Sequence, residues 1–158
     1  MKIQSIMFFL ITLLFSAQAY AGTEVIIGLD QVPESIMTTA RELMPGVRFN
    51  SANTEEEADG TLVFEIQGVL NDGRRVEVDI LSEGDVQEIE VEFSRDLVPG
   101  AVIQAIEARY PGFKPTYIEA SHSASKKVLQ YEFEGLMGDK KMDLEVSADG
   151  RKIVVSDK

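Results

Sequence analysis

Asp30-Gln31-Val32-Pro33 returns as Asp96-Leu97-Val98-Pro99, and Met44-Pro45-Gly46 returns as Tyr110-Pro111-Gly112, each 66 residues downstream. Eleven residues separate the two prolines in both copies. Phe64-Glu65-Ile66-Gln67-Gly68 aligns with Tyr131-Glu132-Phe133-Glu134-Gly135 one residue further out of register, and Gly84 and Gly150 restore the offset of 66. An ordered set of matches at one long period implies two copies of one supersecondary unit, each near the lower size limit for an independent core.

Each copy reads as a helix followed by a meander of strands. Pro33 and Pro99 suit a first helical turn, where a missing N–H costs nothing. Ile36, Ala40, Leu43 and Met44 form one stripe at helical spacing, as do Val102, Ile103, Ile106 and Tyr110. Pro45-Gly46 and Pro111-Gly112 stop the helices. A further strand is expected after each stop, from Val47 and from Phe113. The strands that follow alternate with a period of two. Leu62, Phe64 and Ile66 point inward, then Val76, Val78 and Ile80, then Ile89, Val91 and Phe93. In the second copy Leu129, Tyr131 and Phe133 do so, then Met142, Leu144 and Val146. Turns fall at Asn71-Asp72-Gly73, Ser82-Glu83-Gly84, Gly138-Asp139 and Asp149-Gly150. The expected fold class is α+β: two tandem helix-plus-antiparallel-sheet repeats, residues 22–94 and 95–158.

Residues 1–21 read differently. Lys2, the apolar run Ile6–Phe15 and the small residues of Ala19-Tyr20-Ala21 have the layout of a secretory signal peptide, cleaved after Ala21. The run is too short to span a bilayer of about 30 Å. Its removal takes away one charged residue, Lys2, and moves the net charge from −12 to −13. A periplasmic or secreted address follows. With no cysteine in the chain, the expected core holds without disulfides. Absence of Cys also excludes thiolate metal sites and Cys nucleophiles. The 27 acidic residues against 15 basic ones repel phosphate, so nucleic acid is not an expected partner.

The order Asp-x-Val-Pro, short helix, Tyr/Met-Pro-Gly and alternating strands with an Asn/Asp-Gly hairpin resembles the PepSY-like family. That family's relatives include the beta-lactamase-inhibitory-protein-like domains of bacterial envelope proteins. The resemblance covers essentially the whole mature chain as two copies. It implies a helix packed on an antiparallel sheet and a binding module. It carries no catalytic residues with it. Related PepSY modules occur in propeptides of thermolysin-type proteases, with an inhibitory or chaperone role inferred.

The chemistry-bearing residues support the same class. His122 lies in a small polar stretch, Ala120-Ser121-His122-Ser123-Ala124-Ser125-Lys126, expected to be a solvent-exposed loop or strand end. Ser121 and Ser123 beside it do not make a triad, since neighbours on an extended chain point apart. No Gly-x-Ser-x-Gly elbow or glycine-rich phosphate loop occurs. No catalytic residue, cofactor or metal set is assigned. Alternation gathers Glu65, Glu77, Asp79, Glu88, Glu90, Glu92, Glu132 and Glu134 on the side away from the core, joined by Asp143 and Glu145. Glu55-Glu56-Glu57 with Asp59 reads as a solvated acidic loop. A dense carboxylate face keeps a sheet soluble and is complementary to a basic-surfaced envelope protein. The expected function is thus a non-enzymatic binding or regulatory module, acting on an envelope protease or hydrolase through this face. Trp is absent and most aromatics have core parity, with Tyr117 of uncertain side, so tight beta-lactamase inhibition is not expected. The alternative is an envelope Ca²⁺-binding protein, although no EF-hand spacing is present.

Overall fold

A computed structural model of the chain describes residues 23–156. The apolar leader and its cleavage point lie outside the described residues. Nine antiparallel strands form one sheet whose spatial order follows the chain. They are β1 (Thr23–Ile27), β2 (Arg48–Glu56), β3 (Leu62–Val69), β4 (Arg75–Leu81), β5 (Val86–Glu92), β6 (Phe113–His122), β7 (Val128–Met137), β8 (Lys140–Ser147) and β9 (Ile153–Ser156). Helix α1 (Glu34–Leu43) joins β1 to β2, and α2 (Gly100–Arg109) joins β5 to β6. A short 3-10 turn, a ten-residue helix and four strands therefore come in that order twice. Both sets of strands belong to the same sheet, because β5 and β6 pair from Ile89↔His122 to Glu92↔Glu119.

The helix boundaries follow from the prolines. Pro33 and Pro99 are the residues just before the helices begin, one place earlier than a first helical residue. After each Pro-Gly stop, Gly46 and Gly112 take φ of 89° and 93°, a region that strains any residue bearing a Cβ. The chain then turns straight into β2 and β6, the two strands expected after the stops.

Ile36, Met37 and Ala40 of α1 bury against Ala52, Phe64, Ile66, Val78 and Ile80. Val102 and Ile106 of α2 bury against Ile118, Ala120, Phe133 and Leu144. Val91 of the first cluster stands opposite Ala120 of the second across β5–β6, so both helices cover the same face of the sheet. The class is α+β, and the opposite face carries no helix among the described residues.

Several residues depart from their expected sides. Leu62 and Leu129 have core parity but are 37% and 46% exposed: Leu62 is the first residue of β3, and Leu129 is the residue skipped where the β6–β7 register shifts between Ser121 and His122, so that Val128 packs against the core in its place. Val63 has outward parity yet is only 3% exposed, set between Glu55 and Leu81 on the neighbouring strands. Glu55 and Glu56 are part of β2, paired with Val63 and Leu62, and do not form a loop. Edge strands β1 and β9 carry too little alternation to be read from sequence.

The recurring glycine of the two five-residue matches has a steric cause. A Cβ on Gly68 would lie 2.6 Å from Val47 Cγ1 and 2.8 Å from the Arg48 carbonyl. On Gly135 it would lie 2.5 Å from the Lys114 carbonyl and 2.6 Å from the Phe113 ring. The pairing register breaks beside both, between Phe49 and Ser51 and between Pro115 and Tyr117. Backbone cannot retreat as a side chain can, so Gly135→Ala is expected to cost about 1–3 kcal/mol in urea unfolding. A loss within about 0.5 kcal/mol, ordinary for a surface change, would show that β6 moves aside freely.

Candidate functional site: a carboxylate-lined sheet face

The eight candidate residues do share the face away from the helices, and the ladder sets many of them directly opposite one another. Glu65 faces Asp79, Asp79 faces Glu88, and Glu77 faces Glu90. Glu134 faces Asp143, and Glu132 faces Glu145. Glu119 of β6 faces Glu92 on one side and Glu132 on the other. Like charges directly opposite across strands destabilise a sheet, so this arrangement costs folding energy. The face is not openly solvated either. Glu65, Glu77, Asp79, Glu88, Glu90, Glu92 and Glu132 are half-buried, and Glu134 alone of the eight is exposed.

Burial and mutual repulsion both favour the protonated acid. Burial, then the charges of Glu77, Glu90, Glu65 and Glu88, push the Asp79 carboxyl up to about 9. Glu90 is likewise pushed up to about 9, by burial first and then by Glu132, Glu119, Glu77 and Glu88. Glu65 rises to about 7 through burial and Glu77, opposed in part by a hydrogen bond from Asn53. The centre of the face therefore holds protons at neutral pH.

Neutral and basic side chains moderate the edges of this field. Gln67 donates to Glu77 at 2.8 Å, and Ser51 donates to the Gln67 side-chain oxygen at 2.9 Å. Gln130 donates to Glu132 at 3.2 Å, and Asn53 donates to Glu24. Arg75 places its guanidinium carbon 4.0 Å from the centre of the Tyr117 ring and its Nε 3.7 Å from Glu92. The Tyr117 hydroxyl donates to Glu119, and burial together with this bond holds its proton well above the ordinary phenol range. Tyr117 is thus on the acidic face. Asn50, Ser51, Gln67, Arg75, Glu77 and Glu119 contribute to the rim of a cleft of about 260 Å³ at this end. Its polar groups of both signs are suited to take a hydrogen-bonding side chain of a partner.

At the centre, carboxylate oxygens of Glu88, Glu90 and Glu132 lie within 4.8 Å of one another. Two buried oxygens close to this trio have no hydrogen-bond partner: Asp79 Oδ1, opposite Glu88, and Ser121 Oγ, opposite Glu90.

His122 differs from its expected exposed position. It closes β6, half-buried on the helix side, with Nδ1 3.1 Å from the Ile89 carbonyl and its ring 6.1 Å from Phe93. A carbonyl only accepts, so Nδ1 carries the proton in this contact. Ser121 projects to the other face, which separates the two side chains chemically. Glu119, Ser121, Tyr117 and Arg75 are members of the face that sequence reasoning left out. The signal was present in Tyr117-Ile118-Glu119-Ala120-Ser121, which alternates polar and apolar as the other strands do.

The sequence matches no protein-family model and no curated protein. Among solved structures, the chain is similar to a BLIP-like protein from Bacteroides fragilis at 19% identity and a TM-score of 0.54, covering 77% of this chain and 82% of that one. It is also similar to a DUF2874 family protein from Bacteroides uniformis at 16% identity and a TM-score of 0.59, covering 78% of this chain and 89% of that one. What the chain shares with both at these identities is their fold.

Proposed function

We propose that this chain is a non-enzymatic periplasmic or secreted binding module, built as two PepSY-like halves, that presents its acidic sheet face to a basic-surfaced envelope protein. An envelope protease or hydrolase is the class of partner that the family resemblance favours. The observation that carries the reading is the face itself. Half-buried carboxylates stand opposite one another across successive strands on the side that no described helix covers. A soluble sheet needs charge on its open side, but it does not need charges that repel and desolvate one another. An arriving Lys or Arg supplies the missing countercharge, favours ionisation of the carboxyls, and gains from a field already concentrated there. The likeness in fold to a protein described as BLIP-like is consistent with a binding role. No helix of the described residues is long and apolar enough to cross a membrane, which accords with this address.

The test is capture from an envelope extract on the immobilised chain from Gly22 onward, in EDTA. The retained protein is expected to be basic and to elute between about 0.15 and 0.5 M salt, where the screening length shortens from about 8 Å towards 3 Å. A Glu77→Gln/Glu92→Gln/Glu134→Gln variant is expected to lose it. Capture that ignores both salt and these substitutions defeats the reading.

A further inference from the structure

The Glu88–Glu90–Glu132 trio spans three strands. Neighbouring strands lie about 4.8 Å apart, so β5 and β7 are separated by roughly twice that, with β6 between them. Glu90 and Glu132 approach within 4.8 Å only by leaning towards each other over β6. The β6 residues between them on this face are Ser121, paired with Glu90 and Gln130, and Glu119, paired with Glu92 and Glu132. Ser121 is 1% exposed, and its Oγ has no hydrogen-bond partner. A fully buried, unpartnered hydroxyl therefore stands directly opposite Glu90, on the face where the three carboxylates converge. Buried polar atoms are almost always satisfied, and the unpartnered Asp79 Oδ1 beside Glu88 is a second exception at the same place.

We propose that Glu88, Glu90, Glu132 and the Ser121 hydroxyl form a site for a hard divalent cation, calcium by preference, that clamps β5 to β6 and β7. The donor atoms are all oxygen, which suits calcium or magnesium and not the softer metals. Their mutual separations, all within 4.8 Å, can be bridged by two Ca–O bonds of about 2.4 Å, and magnesium, which keeps several of its waters, is the poorer match to three protein carboxylates. Three carboxylates, of which some can bind through both oxygens, supply much of the six to eight ligands that calcium takes, and water completes the set. The position is also useful. Residues Glu88 and Glu90 precede α2 while Ser121 and Glu132 follow it, and the β5–β6 ladder joining those halves runs only from Ile89↔His122 to Glu92↔Glu119. A cation there ties the halves together beside their junction.

Calcium titrated calorimetrically into the metal-stripped chain from Gly22 onward, at physiological ionic strength, tests the site. One saturable ion per chain is expected, with Kd on the order of 10⁻⁴–10⁻³ M as in extracellular modules. Glu90→Gln and Glu132→Gln are each expected to weaken binding roughly tenfold or more, and Ser121→Ala severalfold. Glu65→Gln, two strands from the trio, should leave it unchanged. Absence of saturable heat overturns the proposal, as does equal weakening by Glu65→Gln, which would mean a diffuse ion atmosphere. Unchanged binding in Ser121→Ala overturns the assigned geometry. Thermal melting gives an independent sign: Glu90→Gln should raise the melting temperature without metal, by removing a buried and crowded carboxyl, yet lose the rise that calcium gives the parent chain. If calcium raises both equally, the trio is not the site. Because capture of a protein partner is measured in EDTA with Glu77, Glu92 and Glu134 altered, either result stands or fails without the other.

Discussion

Stability in EDTA is expected to fall between pH 5.5 and pH 8.5, with the melting temperature dropping by on the order of 10 °C. The sign comes from Asp79 and Glu90. Their folded values, each about 9, lie far above the ordinary values of 3.8 and 4.5. Across that interval the folded protein holds protons that the unfolded chain has released, so stability is fully present below pH 4 and declines as pH rises towards 9. One such proton is worth about 1.4 kcal/mol per pH unit at most. Repulsion relaxes as side chains move apart, so a total loss of about 2–4 kcal/mol over the interval is the reasonable scale. Every charge that faces these groups has the same sign: Glu65 on β3, Glu77 on β4, Glu88 on β5, Glu119 on β6 and Glu132 on β7. Carboxyls held below their ordinary range work the other way, but they titrate elsewhere. Asp59 is lowered by hydrogen bonds from Thr61, Asp72 by the Arg74 backbone and side chain, and Asp149 by the Arg151 backbone and Ser147. Their contributions disappear only below about pH 4. Asp79→Asn is expected to flatten the profile and to raise the melting point most at pH 8.5. A flat or rising parent profile over this range would show that the face is solvated and its carboxyls ordinary.

Phe133→Ala is the second large effect, expected to cost about 3–5 kcal/mol. Phe133 is the largest of the fully buried side chains, 1% exposed, in the cluster with Val102, Ile106, Ile118 and Leu144. Truncating it removes buried apolar surface and leaves a void that a close-packed core does not refill. The loss should appear in the whole molecule. The β5–β6 ladder makes one sheet of both halves, and Phe93, at the end of the first half, meets the Tyr131 ring edge-on at 5.8 Å in the second cluster. Circular dichroism and fluorescence should therefore follow one transition in urea, shifted to lower concentration. Retention of the signals of Phe64 and Ile66 in NMR after the second half has melted would show that the halves fold independently. A domain of ordinary stability, about 5–15 kcal/mol, leaves room to observe either outcome.

The parts of this fold that depend on neighbours in sequence were legible in the chain. Proline, Pro-Gly and Asx-Gly signals mark the helices and hairpins because they act through local φ/ψ and missing donors. Period-two alternation separates the face of Phe64, Ile66, Val78 and Phe133 from that of Glu65, Glu77, Asp79 and Glu132 for the same local reason. Leu62 and Val63 escaped it, since burial at a strand end depends on how far the covering elements reach, and Leu129 escaped it because the β6–β7 register shifts there and puts Val128 on the core. His122 escaped it because its cover, Phe93 and the Ile89 carbonyl, comes from about 30 residues away.

Register is a different matter, and it decides the chemistry. That β5 pairs with β6, making one nine-stranded sheet, depends on strands joined through α2 and on no local signal. The sequence by itself determined that acids would alternate with the core and collect on one face. Only the tertiary structure set Glu65 against Asp79, Glu77 against Glu90, and Glu88 and Glu90 beside Glu132 over a buried Ser121. The reason is physical: alternation is a property of one strand, whereas repulsion, desolvation and shared ligation arise only between strands whose alignment the whole sheet fixes.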